Sequence, residues 1–139
     1  MPTVEKILMS KGPDVIVVSP ETTVFDAVVL MKEAGVGATI ICQDDQIKGI
    51  FTERDLLKRV VAESVSPEKS EICDVMTTPV ASVSPQTPAK VCLDMMLTGN
   101  YRNLAVTQKG VLVGQVSLPG VLSACEIAQY VHQQSLLQE

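Results

Sequence analysis

Thr52 and Asp55, three residues apart, are the side chains of this sequence best suited to bind a ligand. One interpretation is structural: Thr52 caps a helix, and Asp55 lies in its first turn, where the helix dipole favours negative charge. The other is functional, because an ionised carboxylate accepts hydrogen bonds from two hydroxyl groups at once and a helix N-terminus attracts anions. The cap alone would explain the pair, but the two roles are compatible, so both interpretations stay open at this point.

Catalytic groups are scarce in comparison. The only histidine, His132, stands near the C-terminus, and no Ser-His-Asp or Cys-His set can be assembled around it. The four cysteines share no C-x-x-C spacing, so buried, reduced thiols are favoured over a zinc or redox site. We therefore predict that the protein is not an enzyme and uses no metal or catalytic cofactor. The cysteines are Cys42, Cys73, Cys92 and Cys125.

The elements that position these residues are set by an internal repeat at an offset of 65 residues. Val18-Ser19-Pro20 returns as Val83-Ser84-Pro85, and Gly49 returns as Gly114. Such a repeat predicts two similar half-domains packed about a pseudo-twofold axis, with two related clefts. We assign residues 1–65 to the first copy, 66–130 to the second and 131–139 to a C-terminal tail.

Hydrophobic periodicity predicts the order strand, helix, strand, strand, helix in each copy, an α/β fold of the α+β kind. The first helix begins after an N-cap at Thr22 or Thr23 and ends at Gly35. Turns are expected at Asp44-Asp45 and Lys109-Gly110. The predicted elements of the first copy are Val15–Val18, 24–34, Ala38–Cys42, Ile47–Phe51 and Glu53–Ala62. Those of the second copy are Val80–Val83, Pro88–Thr98, Leu104–Val106, Leu112–Val116 and a helix from about Pro119 towards Gln133.

Composition narrows the function further. Apolar residues make up 46% of the 139 residues and aromatic residues only 3%, so the core must be aliphatic. The net charge of −5 argues against nucleic acid as a partner, because that binding depends on Lys and Arg. No apolar run reaches the roughly 18 residues of a membrane span, and no secretory signal is visible at the N-terminus. We predict a cytoplasmic protein without a membrane partner.

The repeated motifs resemble those of a known family. The segment Gly49-Ile50-Phe51-Thr52-Glu53-Arg54-Asp55 follows the pattern G-h-x-[ST]-x-x-D at the start of a last helix. With Met76-Thr77-Thr78-Pro79-Val80 and Tyr101-Arg102-Asn103-Leu104-Ala105-Val106, it resembles the CBS domain, whose tandem pairs are called Bateman modules. The resemblance covers about residues 3–128. It implies a sensor of AMP, ADP, ATP, S-adenosylmethionine or NAD, bound between the copies without being chemically changed.

The resemblance also assigns residues to the ligand, because a cleft takes its aspartate motif from one copy and its first two strands from the other. The ribose and phosphate contacts would be Thr52, Arg54, Asp55 and Arg102. The adenine slot would be lined by Met76, Pro79, Ala81 and Tyr101. The alternative interpretations stay open: Arg102 as a solvated arginine, and the four slot residues as ordinary core or rim.

The opposite cleft lacks these polar groups. Position 55 corresponds to Gly120 and position 54 to Pro119, although Ser117 can still cap a helix. That cleft would have neither an aspartate nor an arginine, so we predict one competent nucleotide site. Its residues would be Ser117, Gly120, Ile16, Val36 and Gly37.

The predicted function is that of a stand-alone regulatory module. An adenosine nucleotide would bind in the cleft between the copies and signal nucleotide or energy status to an unknown effector protein. The resemblance implies a homodimer, for which the apolar faces at Val24–Met31 and Val121–Ala128 are candidates. AMP, ADP and ATP fit the polar groups, NAD fits as well, and S-adenosylmethionine would leave Arg102 idle. The alternative is an interaction or scaffold protein whose nucleotide sites have decayed.

Overall fold

A computed structural model describes residues 2–11 and 15–137, without the side chain of Tyr130. The chain folds as two compact units. Over the described residues, the first unit comprises 15–80, and the second unit comprises 2–11 together with 81–137. Each unit contains one three-stranded sheet with helices, which confirms the predicted mixed α/β class.

The first unit follows the predicted order of elements. Strand β1 (Val17–Val18) pairs in parallel with β2 (Ala38–Gln43), and β2 pairs antiparallel with β3 (Gln46–Thr52), giving the sheet order β1-β2-β3. Thr23 caps the N-terminus of helix α2 (Val24–Ala34), and Gly35, with a φ of 69°, ends it, as predicted. Its elements are β1 (Val17–Val18), α2 (Val24–Ala34), β2 (Ala38–Gln43), β3 (Gln46–Thr52) and α3 (Glu53–Asp55), which continues as a π-helix over Leu56–Val61, followed by a 3₁₀ turn (Ile72–Asp74).

The second unit repeats this plan. Its sheet has the order β4-β5-β6 with the same parallel and antiparallel pairings. Even the irregularity of register recurs, between Ile41 and Cys42 in one unit and between Val106 and Thr107 in the other. These positions are again 65 residues apart, so the repeat extends to backbone detail. The further elements are α1 (Val4–Lys11), β4 (Ser82–Val83), α4 (Ala89–Gly99), β5 (Asn103–Gln108), β6 (Val111–Ser117) and α5 (Leu118–Leu137).

The units exchange their flanking segments along the chain. Helix α1 packs on the second unit, where Val4 and Ile7 are buried in its core and the Val4 amide donates to the Thr87 carbonyl at 2.9 Å. The 3₁₀ turn packs on the first unit instead, with the Ile72 amide bonded to the Thr22 carbonyl at 2.7 Å. The compact units therefore have different ends from the sequence copies 1–65 and 66–130.

Each unit has an aliphatic core, as the composition predicts. The first core is built around Val24, Ile41 and Ile72, with Phe51 as its large aromatic side chain. The second core is built around Met96 and Leu104 and includes residues of α1. The two cores fix the ends of the strands that carry the candidate site residues.

Three features of the described helices and strands differ from the prediction. Helix α1 was not expected, because only Val4 and Ile7 of its eight residues are buried and its pattern is weak without a partner. Helix α5 continues to Leu137, so the part of the tail that the structure describes is helical. Strands β1 and β4 are two residues long, because the registered pairing with the neighbouring strand covers only two residues in each. Within the described residues, no helix is both long and apolar enough to cross a membrane.

Candidate functional site

Thr52 and Asp55 form a reciprocal helix cap. Strand β3 ends at Thr52 with extended backbone, and the Asp55 amide donates to Thr52 Oγ1 at 3.2 Å. In return the Thr52 amide donates to Asp55 Oδ2 at 3.0 Å. This capping box satisfies two backbone donors that the helix leaves open, so the structural role predicted for the pair is confirmed.

The second oxygen of Asp55 is also engaged. Thr77 Oγ1 donates to Asp55 Oδ1 at 2.8 Å, and Arg59 Nε lies 3.6 Å from the same oxygen. Only 8% of Asp55 is exposed. A half-exposed arginine and two hydroxyl groups therefore surround a nearly buried carboxylate.

Arg59 links this carboxylate to the segment before β4. Arg59 lies one turn of helix after Asp55, and its Nη1 donates to the Met76 carbonyl at 2.9 Å. The helix is π-helical over Leu56–Val61, a form that frequently occurs at functional sites. The sequence analysis missed Arg59, although its i+4 spacing from Asp55 is the ordinary spacing of a helical ion pair.

Thr77 is positioned by backbone pairing. Its amide donates to the Ile50 carbonyl at 2.8 Å, and its carbonyl accepts from the Ile50 amide at 3.0 Å. The side chain of Met76 then lies over Gly49, where a β-carbon would come within 2.8 Å of Met76 Cγ. Gly49 is thus required for the close approach of this segment to β3. The motif showed the glycine, but its spacing in the sequence could not show that Thr77 reaches Asp55.

Thr52, Asp55, Arg59 and Thr77 will be called the Asp55 cluster. It can accept a hydroxyl-bearing ligand only if an incoming hydroxyl replaces or joins Thr77 or Thr52 as a donor to the carboxylate. Arg54, which directly precedes Asp55 in α3, is half-buried, and Glu53 Oε1 lies close to Gly37. Met76 is half-buried against Gly49, while Pro79, three residues further on, is exposed.

The other predicted site residues belong to the second unit. Tyr101 and Arg102 precede β5 and are exposed, and the tyrosine ring lies where a β-carbon on Gly99 would clash with it. The Arg102 carbonyl accepts from the Leu118 amide at 2.8 Å, next to the start of α5. Ala81 is half-buried at the start of β4, where its carbonyl accepts from the Ala105 amide at 3.0 Å.

The predicted site residues therefore fall into two groups. The first unit holds Thr52, Arg54, Asp55, Met76 and Pro79, and the second holds Ala81, Tyr101 and Arg102. In the first unit, Arg59 and Thr77 join Asp55 to the Met76 segment, two contacts that sequence reasoning did not foresee. In the second unit, Gly120 places no side chain at the start of α5. A β-carbon on Gly120 would lie 3.5 Å from Lys11 Nζ and 3.6 Å from Ser117 Oγ.

The cysteines are less buried than we predicted. Cys92 is fully buried in the second core, whereas Cys42, Cys73 and Cys125 are partly exposed. Burial, and then the charge of nearby Cys125, raise the pKa of the Cys92 thiol to about 11. Over the residues that the structure describes, no cluster of three or more histidine, cysteine or acidic side chains is arranged to hold a metal ion.

The two-unit geometry agrees with a family comparison. A model of the CBS domain matches the chain twice, over residues 4–62 and 72–127. The chain belongs to the CBS domain family. The two matches correspond to the two copies of the repeat, so the predicted resemblance to a CBS pair is confirmed.

Relatives of this CBS protein include a mitochondrial CBS domain-containing protein, CBSX3, from Arabidopsis thaliana. It is 27% identical over 131 residues, which cover 88% of this chain and 64% of the relative. The chain spans less than two thirds of the length of the curated relatives compared with it.

Solved CBS structures show the same fold. A protein with CBS domains from Burkholderia ambifaria is 32% identical, with a TM-score of 0.85, and the match covers 89% of this chain and 93% of that one. The CBS domain protein PAE2072 from Pyrobaculum aerophilum, solved with AMP, is 22% identical, with a TM-score of 0.76 and coverage of 86% and 89%. At that identity the likeness concerns the fold.

Proposed function

We propose that this CBS pair is a regulatory module that binds an adenine nucleotide and passes its occupancy to a partner protein. The observation that carries the proposal is the Asp55 carboxylate, held nearly buried between the hydroxyl groups of Thr52 and Thr77. A carboxylate so placed can exchange a protein hydroxyl for one of a ribose diol. The AMP bound to the Pyrobaculum relative supports an adenine nucleotide as the ligand class.

In this proposal each predicted residue has a separate task. Thr52 and Asp55 accept or share hydrogen bonds with the ribose, Arg54 assists, and Arg102 binds phosphate oxygens. The exposure of Arg102 leaves its guanidinium accessible to a phosphate. Met76, Pro79, Ala81 and Tyr101 contact the adenine.

Transmission of the signal would use self-association. Val24, Ala27 and Met31 of the predicted contact face are buried in the core of the first unit, so they are not available to a partner. Exposed apolar side chains remain beside them, Phe25 and Leu30, with exposed fractions of 48% and 41%. We propose that a homodimer uses such side chains, and that ligand binding shifts its packing.

One observation favours the alternative, an interaction protein with decayed nucleotide sites. Both oxygens of Asp55 already have partners within the first unit, so the residue has a structural role that survives without a ligand. Loss of binding in an Asp55→Ala variant would then have two explanations. The test must separate the ligand contact from the helix cap.

Calorimetric titration with AMP, ADP, ATP, NAD and S-adenosylmethionine is the first experiment. For whichever nucleotide binds, its 2′,3′-dideoxy form is titrated beside it, against the natural chain and Asp55→Asn. A charged hydrogen bond is worth about 1.5–3 kcal/mol, so removing the diol should weaken binding to the natural chain by at least about 10-fold. Removing the diol should weaken binding to the Asp55→Asn variant much less, because that variant has already lost the carboxylate that the diol contacts.

Matched variants define the other contacts and the control. Arg102→Gln should weaken AMP binding more than adenosine binding, since only AMP has a phosphate. Asp74→Asn removes an exposed acid from the same unit and should bind like the natural chain. Failure of all five compounds to bind would overturn the proposal in favour of the decayed module. Turnover of a bound nucleotide would show an enzyme instead.

A further inference from the structure

A groove lies in the second unit, between the short helix α1 and the exposed length of α5. Its volume is about 690 Å³. Cavities of roughly 300–1,000 Å³ are typical of small-molecule sites. The lining residues are Pro2, Lys6, Ile7, Ser10, Lys11, Gly120, Ser123, Ala124, Ile127, Ala128, Val131 and His132.

The repeat explains why this space is open. Gly120 stands where the first unit has Asp55, and Ala124 stands where it has Arg59. In the first unit those two side chains lie together and bind the Met76 segment. In the second unit, glycine and alanine replace both long side chains, and the position that corresponds to Met76 is Lys11. An acid–arginine contact has been replaced by empty space beside a lysine.

The charge of the groove has one sign. Lys6 and Lys11 line it, and none of the described residues that line it is an aspartate or glutamate, although the chain has 16 acidic and 11 basic residues. Lys11 Nζ is held close to Gly120, at the N-terminal end of α5. The groove is therefore positive in an otherwise acidic protein, so it is complementary to an anion.

The rest of the groove is apolar. Ile127 and Val131 line it and are exposed by 62% and 59%, and because they are four residues apart on α5 they lie on one face and form a small apolar patch. They lie on the part of α5 that extends beyond the length of the corresponding helix of the first unit, which ends at Val61. From Gly120 to Val131 the helix rises about 16 Å, enough for an extended chain of several carbons.

We propose that this groove binds a small amphiphilic carboxylate of the medium-chain acyl type. Its carboxylate lies at Lys11, in the space opened by Gly120, and its apolar chain lies along Ile127 and Val131. Charge complementarity selects the head group, and burial of the aliphatic side chains, worth about 25 cal/mol per Å², selects the tail. The site is separate from the Asp55 cluster, so the two proposals stand or fall independently.

The test compares three probes with one chain length and different head groups. Decanoate, decan-1-ol and decyltrimethylammonium are titrated below their micelle concentrations into the ¹⁵N-labelled full chain. Chemical-shift changes should fall on amides of α1 and α5. Decanoate should bind at least about 10-fold more tightly than the cation, with the alcohol between them.

Gly120→Asp is the sharpest variant, with Gly120→Asn as its uncharged match. The nearest atoms to a β-carbon there are 3.5 Å away or more, so the position accepts a β-carbon without a clash. A carboxylate beside Lys11 should weaken decanoate binding at least about 3-fold while leaving decanol unchanged, and the asparagine should not. Lys11→Gln should have a similar effect, and Lys109→Gln, at a turn away from the groove, should have none.

A steric pair tests the tail. Ala128→Trp fills the groove and should abolish binding of decanoate and decanol alike, whereas Gln129→Trp, on the same helix but outside the groove, should preserve both. Equal affinity for all three head groups, or shift changes elsewhere than on α1 and α5, would overturn the proposal. So would changes at the groove amides on simple dilution, because a second copy of the chain would then be the occupant.

Discussion

The two helices that follow the third strand of each unit start from the same backbone plan and differ in what they hold. The Glu53 amide binds the Gly37 carbonyl at 3.1 Å, and the Leu118 amide binds the Arg102 carbonyl at 2.8 Å, 65 residues further along. In the first unit a capping box, an arginine and a threonine then surround Asp55. In the second, Gly120 and Ala124 leave a groove. The repeat preserves the scaffold, while the side chains at its helix start have diverged.

This difference separates a structural constraint from a ligand constraint. If Asp55 were needed only as a cap, the second unit shows that the fold tolerates its absence, since α5 forms with glycine at the same position. In the first unit the Asp55 carboxylate bonds with Thr52 and Thr77, whereas Gly120 has no side chain to make such bonds. How much stability and how much specificity these bonds supply can be measured.

The largest effect is expected from Asp55→Ala. It leaves the Thr52 amide and the Thr77 hydroxyl without their acceptor, so the free energy of unfolding should fall by about 2–3 kcal/mol. Chemical denaturation without ligand measures this. Gly120→Ala, at the corresponding position, should not destabilise the protein, because no such contacts exist there. Equal costs at the two positions would show that the units do not differ in this respect.

A smaller effect is expected from Arg59→Met. The change removes the bond to the Met76 carbonyl and the contact with Asp55, but Arg59 is half-exposed, so the loss should be about 1 kcal/mol. Lys58→Met removes a neighbouring exposed charge of the same sign and should cost less. The two variants are compared by their midpoints of urea unfolding. Equal midpoints would show that Arg59 does not secure the Met76 segment.

The smallest effect concerns Cys92, whose counterpart in the first unit is Ala27. Burial is the main reason why the pKa of Cys92 is raised to about 11, above the value of about 8.5 for a free thiol. Between those values the unfolded chain releases a proton that the folded chain keeps, so stability falls as the pH rises. Cys92→Ala should flatten this decline between pH 8 and 10. Cys73→Ala, at a more exposed thiol, should flatten it less.

Local patterns predicted most of the fold. The repeat, the order of strands and helices, the caps at Thr23 and Gly35 and the turn at Asp44-Asp45 all depend on neighbouring residues. Helix α1 escaped prediction because eight residues are marginal as a helix without tertiary packing, and its partners lie about 80 residues away.

The candidate site was predictable only in part, for the same reason. The Thr52–Asp55 pair is local and was found, whereas the Thr77 contact depends on pairing between Ile50 and Thr77 across the fold. The groove at Gly120 depends on α1 and could not be seen from the motif. Comparison of the two copies showed that the second copy has Gly120 where the first has Asp55. Only the structure showed that Lys11 lies close to Gly120.

The placement of α1 determines the order in which the units can be completed during synthesis. The first unit is one continuous stretch of chain, so it can fold once residue 80 has emerged from the ribosome. The second unit cannot, because the Val4 amide must wait for the Thr87 carbonyl and the apolar side of α1 for helix α5. Until then the apolar side of α1 has no core to pack on. A change that disturbs α1 would therefore affect the unit that is completed last.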